Sequence, residues 1–211
     1  MKAVAIIPAD LSCLRWISDC SLLERVLRKL ADFRELNRVA VITGNNNEYE
    51  KVCKELNTFD ERVGVYRHEQ GSSPFWANDT VARYLHASED AIADCYLLLN
   101  PCFPFLNCDT IAQVLYGVVS DGHPAAVSVI GGAPSTEAEG FCLGRGCLAI
   151  DACIALTHQH WEGQAKALAE KAPLRLGHQC ARVGVNQLEI VDVRGELGWR
   201  MATTLGTFGP G

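Results

Sequence analysis

The segment of residues 8–19 is the first place in the chain where side chains could do chemistry. It follows an uninterrupted apolar run, residues 3–7, which is typical of a strand buried on both faces of a parallel sheet. Ligands of such sheets bind at the carboxyl ends of the strands. We therefore interpret Pro8, Ala9, Asp10 and Ser12 as candidate substrate contacts and Arg15 as a candidate phosphate contact. The alternative is an ordinary strand-to-helix connection with a solvated Arg15.

A second candidate segment reads N-P-C-F-P at residues 100–104 and ends another apolar run, residues 95–99. We interpret Asn100 and Pro101 as substrate contacts in the wall of a pocket. The alternative is a strand end that the prolines terminate. No histidine is placed beside Cys102 by the sequence, so a nucleophilic role for this thiol is not indicated.

Composition limits the class of protein. The chain has 211 residues, 48% of them hydrophobic, and a formal net charge of -6, which suits one globular domain. No basic run indicates a nucleic-acid groove, and no apolar run is long enough to span a membrane. The N-terminus predicts a strand rather than a secretory leader, so we expect a cytoplasmic protein.

The ten cysteines are unusually many. None forms a C-x-x-C pair, which argues against a zinc ribbon and against thioredoxin-like chemistry. Without a leader, free thiols are the expected state. The alternative is a metal cluster of Cys142, Cys147, Cys153, His158 and His160, although their spacing matches no ligand pattern that we can justify.

Strands and helices alternate over the first 130 residues, as in a parallel sheet with helices on both faces. A capping box opens the first helix, because the Ser21 hydroxyl and the Glu24 side chain can satisfy each other's backbone N–H groups. The predicted strands are residues 3–7, 39–43, 64–67, 95–99 and 125–130, and the predicted helices are residues 22–32, 48–57, a helix from about 79, and 109–119.

The pattern changes after residue 131, where Gly, Pro and small polar residues predominate. His158 and His160 are predicted near a helix C-terminus, where the helix dipole favours them. We expect one domain over residues 1–211 in which residues 131–185 form a lid or a dimerisation segment, and hence a homodimer. The predicted helices here are residues 151–158, 162–171 and 196–205, and the extended pieces are residues 182–184 and 188–193.

Five stretches together carry a family resemblance: V-A-I-I-P-A at 4–9, S-L-L-E-R-V-L at 21–27, N-D-T-V-A-R-Y-L at 78–85, L-L-L-N-P-C-F-P-F-L at 97–106 and L-E-I-V-D-V at 188–193. They resemble the corresponding segments of the sugar nucleotidyltransferases. The resemblance is to the cytidylyltransferases that make CMP-acylneuraminate and CMP-Kdo.

The resemblance implies an α/β fold with a Rossmann-like, mostly parallel sheet that holds CTP over its first loop. It implies that the hydroxyl of an acidic sugar attacks the α-phosphorus and pyrophosphate leaves, in the synthesis of surface polysaccharide or glycoconjugate. Such chemistry rests on positioning and charge stabilisation, to which Mg²⁺ contributes. The implied catalytic residues are Arg15 and Asp192, the latter also the Mg²⁺ ligand, while Asn78, Asp79 and Arg83 reach the cleft. For Asp79, a helix N-cap is the simpler interpretation.

The chain departs from the family pattern in its charges. Asp10 stands where the family has an Arg, and Asp19 stands roughly where it has a Lys. Two anions thus replace two cations, and we expect them to repel a phosphate. Arg194 occupies the place of a second late Asp, and one carboxylate is a poorer Mg²⁺ site than two. Arg194 is therefore a candidate to replace the charge of the metal.

Three interpretations of function stay open. The first is a divergent cytidylyltransferase, and the second is a homologue that has lost catalysis and keeps a role in binding a ligand or partner. The third is a cysteine- or metal-dependent protein, which metal analysis of the purified chain would settle.

Overall fold

The computed structural model describes residues 1–44, 46–56, 59–68, 77–88, 92–130, 138–139, 142–143, 148–168 and 179–206. A short 3₁₀ helix at Leu11–Leu14 follows the first strand. The strands are β1 Ala3–Pro8, β2 Trp16–Ile17, β3 Cys20–Ser21, β4 Leu36–Thr43, β5 Val63–Arg67, β6 Cys95–Leu99, β7 Ala125–Ile130, β8 Ala138–Glu139, β9 Cys142–Leu143, β10 Leu148–Thr157 and β11 Ala181–Gly184. The α-helices are α1 Leu22–Leu30, α2 Asn46–Glu55, α3 Ala77–Ala87, α4 Cys108–Val119, α5 His158–Leu168 and α6 Glu196–Gly206.

Seven strands form one sheet in the order β11-β7-β10-β6-β1-β4-β5. Strand β1 pairs in parallel with both β4 and β6, and β5 and β11 are parallel to their neighbours. Strand β10 alone runs antiparallel, between β6 and β7. The fold class predicted from the sequence, an α/β fold with a mostly parallel sheet, is confirmed.

Both faces of this sheet are buried, which explains the uniformly apolar strands. Ala5 and Ile7 of β1 point into one core, which is packed by α1, α2 and α4. Val4 and Ile6 point into the other, which is packed by α3 and by Trp161 of α5. The sheet is therefore the middle of three layers, and the loop after β1 extends from an interior strand that pairs on both sides.

A third, smaller core fixes α6 at the carboxyl end of the sheet. Its buried members are Ile17, Leu22, Val191, Val193 and Ala202, and the half-buried Trp199 packs against them. The β2–β3 hairpin contributes Ile17, so this core joins the loop after β1 to the last helix. That contact positions the residues of the candidate site.

The predicted helix over residues 151–158 is wrong, because residues 151–157 belong to β10 and α5 begins only at His158. Ala152, Cys153 and Ile154 are fully buried in the middle of the sheet. His158 and His160 consequently lie at the start of a helix rather than near its end. The Thr157 hydroxyl accepts a hydrogen bond from the His160 backbone N–H at 3.1 Å, as an N-terminal cap does.

The predicted extended piece at residues 188–193 is also wrong, because the chain makes two turns there. The buried Glu189 carboxylate accepts hydrogen bonds from the Thr110 hydroxyl at 2.6 Å and the Asn107 backbone N–H at 3.0 Å. This long-range contact tethers the segment to the start of α4. The range 131–185, expected as a lid or dimerisation segment, contributes β10 and β11 to the main sheet. Within the described part of the chain, no helix is long and apolar enough to cross a membrane.

Candidate functional site

The loop after β1 begins as a continuation of the sheet. The backbone N–H of the buried Ala9 donates to the Ile42 carbonyl at 2.8 Å, and the half-buried Pro8 precedes it. Asp10 then caps the 3₁₀ helix: its Oδ1 accepts from the Ser12 backbone N–H at 2.7 Å and from the Ser12 hydroxyl at 2.5 Å. The Asp10 carboxylate is thus occupied by local donors, which position the loop.

Asp19, the second acidic residue of the loop, is paired with arginines of α1. Its two carboxylate oxygens lie 3.1 Å from Arg25 and 3.1 Å from Arg28. The pKa of the Asp19 carboxyl is lowered, first by a hydrogen bond from its own backbone N–H and then by Arg28 and Arg25. Its negative charge is therefore offset where it stands, and the repulsion of a phosphate that the sequence predicts is weaker than two uncompensated carboxylates would give.

Arg15 is stacked on an aromatic ring of the last helix. Its guanidinium carbon lies 3.4 Å from the centroid of the Trp199 ring, which is a close cation–π contact. The Arg15 carbonyl accepts from the Leu22 N–H at 3.0 Å, so the backbone here is also held against the start of α1. The one cation that the resemblance retains is therefore exposed at the loop but oriented by α6.

The segment after β6 forms a tight turn around Asn100. The Asn100 side chain is buried, and its Oδ1 accepts from the Cys102 N–H at 3.0 Å, as in an Asx turn. The adjacent Pro101 is buried as well. Asn100 and Pro101 thus form the buried part of the turn after β6. The Cys102 carbonyl accepts a hydrogen bond from the Val193 N–H at 3.0 Å, which holds residues 188–194, the late segment, beside this turn.

Asp192 lies on this late segment, and its carboxylate forms an ion pair with Arg194. The Asp192 carboxylate accepts from the Arg194 backbone N–H at 2.9 Å and from its Nη2 at 2.5 Å. The Arg194 guanidinium carbon also lies 5.6 Å from the centroid of the Phe103 ring. A metal ion at Asp192 must compete with this guanidinium for the same oxygens.

Cys13 marks the point where these loops meet. Burial is the main cause that raises the pKa of its thiol, and the nearby Asp10 and Cys102 raise it further. Cys13 belongs to the loop after β1, and Cys102 to the turn after β6. The structure thus places Asp10, Ser12, Arg15, Asn100, Pro101 and Asp192 at the same edge of the sheet.

For the candidate residues of α3, the structure describes the side chain of Arg83 but not those of Asn78 and Asp79. Asn78 and Asp79 lie in the first turn of α3, which follows β5 and therefore begins at the carboxyl-end side of the sheet. Their side chains lie outside the described residues. Arg83 is half-buried one turn further along the helix.

The described residues do not fit a bound Mg²⁺. They contain no group of three or more His, Cys, Asp or Glu side chains able to hold a metal ion, and the Asp192 oxygens already accept hydrogen bonds from Arg194. Cys142 and Cys147 of the alternative cysteine–histidine cluster lie outside the side chains that the structure describes. Of its other members, Cys153 is fully buried in β10, and His158 Nδ1 lies 2.9 Å from the Tyr96 hydroxyl.

Sequence reasoning missed the role of Trp199. The sequence shows a Trp in a predicted helix but gives no sign that α6 folds back onto the loop after β1. Gly198 carries a weak signal, because a glycine inside a predicted helix often marks a close approach. A Cβ at Gly198 would overlap the backbone oxygen of Asp192, so this glycine lets α6 dock against the late segment.

The chain resembles known proteins in its structure, but its sequence matches none of the families or curated proteins compared. No protein-family model matches the chain, and no curated protein matches its sequence. Three similar solved structures are cytidylyltransferases. They are 4-diphosphocytidyl-2C-methyl-D-erythritol synthase from Anaerococcus prevotii (TM-score 0.73, 12% identity, 97% of this chain and 95% of that chain), 2-C-methyl-D-erythritol 4-phosphate cytidylyltransferase from Thermus thermophilus (0.66, 19%, 98% and 100%) and CMP:2-keto-3-deoxy-manno-octonic acid synthetase complexed with CTP (0.69, 15%, 99% and 99%).

These likenesses extend over nearly the whole of each chain, while the identities lie far below the level that carries function. They agree with the resemblance drawn from the five sequence stretches. The chain therefore has the fold of these solved cytidylyltransferases.

Proposed function

We propose that this protein is a cytidylyltransferase-like enzyme that transfers a cytidylyl group from CTP to an acidic sugar, in the synthesis of surface polysaccharide or glycoconjugate. The observation that supports it best is that Arg15 and Arg194 lie at the carboxyl end of the sheet, in a fold shared with cytidylyltransferases. In this proposal Arg15 contacts a phosphate. The substrate contacts are the other candidates, namely Pro8, Ala9, Asp10, Ser12, Asn78, Asp79, Arg83, Asn100 and Pro101.

The charge of Arg194 has a specific part in this proposal. Negative charge develops on the leaving pyrophosphate, and a guanidinium can stabilise it through paired N–H donors. Arg194 would leave Asp192 and turn to the phosphates, taking over work that Mg²⁺ does elsewhere. Activity is then expected to survive chelation by EDTA, whereas loss of activity with EDTA and its return with Mg²⁺ would contradict this role.

The first experiment measures the melting temperature with and without CTP, and pyrophosphate release from CTP with a panel of keto-sugar acids. We expect CTP to raise the melting temperature and at least one sugar acid to release pyrophosphate. Arg200→Gln is the matched control, because Arg200 lies on the exposed side of α6 and pairs only with Glu196 among the described residues. No shift with any nucleoside triphosphate would remove the proposal.

A second candidate function is a homologue without catalysis that binds a ligand or a partner. Two contacts favour it: Arg15 is stacked on Trp199, and Asp192 is closed by Arg194. Both side chains that the resemblance makes catalytic are thus engaged within the chain. A CTP-dependent shift with no pyrophosphate release from any tested sugar acid would support this function, and detectable release would exclude it.

A further inference from the structure

A cavity of about 560 Å³ opens beside α1, next to the far ends of the two candidate loops. Its walls come from the turn of the β2–β3 hairpin, from α1, from the segment before α4 and from the end of α6. Asp19 and Pro104 line it from the ends of the two candidate loops, whereas Arg15, Asn100 and Asp192 do not line it. Its volume lies within the range of sites that hold small molecules.

The cavity has an apolar wall and a cationic wall. Phe105, Leu188 and Leu205 supply apolar surface, and Arg25 and Lys29 of α1 supply charge. Small-molecule sites are mostly apolar with a few placed polar groups that orient the ligand. This distribution suits a ligand with an apolar body and an acidic end.

Lys29 is the polar group best placed to hold that acidic end. Among the described residues, its ammonium makes one hydrogen bond, from Nζ to the Pro104 carbonyl at 2.6 Å. An ammonium has three donors, so two are available to ligand oxygens. Burial lowers the pKa of Lys29 to about 8, because the charged form has lost hydration that nothing else in the cavity replaces in full.

Arg25 adds a second positive charge at the same wall. Its side chain is only 12% exposed, and it pairs with Asp19 at 3.1 Å. Its Nε is buried and has no hydrogen-bond partner within the described part of the chain. Because this Nε is closed off from solvent, Arg25 contributes its positive charge to the cavity wall and not this donor.

The other charges near Lys29 leave the cavity receptive to an anion. Asp19 also lines the cavity, but Arg25 and Arg28 both offset its charge. Glu189 does not line it, and its oxygens accept hydrogen bonds from the start of α4 and from Asn186. Lys29 is therefore the cation here that has no acidic partner in the described residues.

We propose that this cavity is a second ligand site, which binds a small organic anion by its phosphate or carboxylate group. The acidic group accepts hydrogen bonds from Lys29, and the apolar body packs against Phe105 and Leu188. The proposal is independent of the function proposed for the carboxyl end of the sheet.

Phenyl phosphate is the probe, because it combines an aromatic ring with a phosphate, and benzoate tests whether a carboxylate serves instead. Binding is measured by titration calorimetry on the whole chain. We expect Lys29→Met to weaken binding of the preferred probe about tenfold or more, which corresponds to about 1.4 kcal/mol. Lys51→Met, at an exposed lysine of α2, is the matched control and should bind as the wild type does.

A second variant separates this cavity from the candidate nucleotide site. Arg15→Gln is expected to leave phenyl phosphate binding unchanged. Binding that Arg15→Gln abolishes and Lys29→Met preserves would place the probe at the loop after β1 and overturn the proposal. Absence of binding of either probe to the wild type would overturn it as well.

One measurement needs no variant of Lys29 to fold. Reductive methylation of the wild-type chain, followed by mass spectrometry, reports the accessibility of each amine. Phenyl phosphate should protect Lys29 and leave Lys51 as reactive as before. Equal reactivity of Lys29 with and without the probe would contradict the assignment.

Discussion

The stacking of Arg15 on Trp199 fixes the orientation of the guanidinium in the candidate site. A cation–π contact holds the guanidinium plane in a fixed orientation and leaves its edge N–H groups free to meet an anion. The contact thus orients the one cation of residues 8–19 before any anion binds. It also couples the loop after β1 to α6, since either partner can move only if the stack is broken.

Arg15→Gln tests the role of this cation. We expect the variant to lose most of the CTP-induced rise in melting temperature, because glutamine offers no positive charge to a phosphate. Its own stability should fall by about 0.5–1 kcal/mol, the usual worth of an exposed cation–π contact. Arg200→Gln should change neither quantity appreciably, since its exposed pair with Glu196 contributes little. A full CTP response in Arg15→Gln would exclude Arg15 as a phosphate contact.

Lys29 predicts an unusual dependence of stability on pH. Its folded pKa, about 8, lies below its ordinary value of 10.5, so between these values the unfolded chain binds more protons than the folded one. The free energy of unfolding contributed by this residue therefore rises as pH increases through that window. Urea unfolding of the wild type and of Lys29→Met at several pH values isolates the effect. Parallel pH profiles for the two proteins would contradict it.

The acidic residues of the first loop illustrate what sequence reasoning lacked at this scale. The sequence correctly placed Asp10 and Asp19 in the loop and predicted that they would repel a phosphate. It did not show that Asp10 caps the 3₁₀ helix or that Asp19 meets two arginines of α1. Such local neutralisation depends on how the β2–β3 hairpin folds back, which residue types alone do not specify.

Among the elements, α6 contacts both the loop after β1, through Trp199 and Arg15, and the late segment, through Gly198. It packs without clearance against the late segment, since a Cβ at Gly198 would overlap the Asp192 carbonyl oxygen. The helix and the Asp192–Arg194 pair are therefore positioned together. Any side chain at residue 198 should displace both.

Gly198→Ala is expected to lower the free energy of unfolding by about 1–3 kcal/mol, the usual cost of overpacking. It should also weaken CTP binding, because Trp199 moves away from Arg15. Gly163→Ala is the matched control: that glycine lies on α5 with nothing within 4 Å of an added Cβ, so alanine should stabilise the helix slightly. Urea unfolding and CTP titration check both variants, and equal stabilities would show that α6 is not held as closely as described.

The buried strands of the first 130 residues could be predicted because each is a short apolar run bounded by turn residues. The run of residues 151–157 was misread because a fully buried strand and a buried helix share the same composition. Its alanines and leucine favour a helix locally, but its place between β6 and β7 fixes it as a strand. The turns at residues 188–193 depend on Glu189 reaching α4, a contact across about 80 positions of chain.

For the whole molecule, the expectation of a homodimer can be tested through the sheet itself. Ile130 and Leu148 are paired across the antiparallel strands β7 and β10, so a short turn can join them directly. The expected dimerisation segment spans residues 131–185, and residues 131–147 are the part of it that such a turn can replace. Replacing them with a short Gly-Asn turn should leave the fold intact and yield a monomer by sedimentation velocity. A variant that sediments like the wild type would contradict this role.

The position of β10 also has a consequence for how the chain folds while it is being translated. The centre of the sheet is completed by a strand encoded late in the chain, so β6 and β7 leave the ribosome before the neighbour that joins them exists. Until residue 157 has been made, each exposes a row of unsatisfied backbone groups to other nascent chains. Transcripts cut short before that point are therefore expected to yield aggregating products that need chaperones, rather than smaller folded ones.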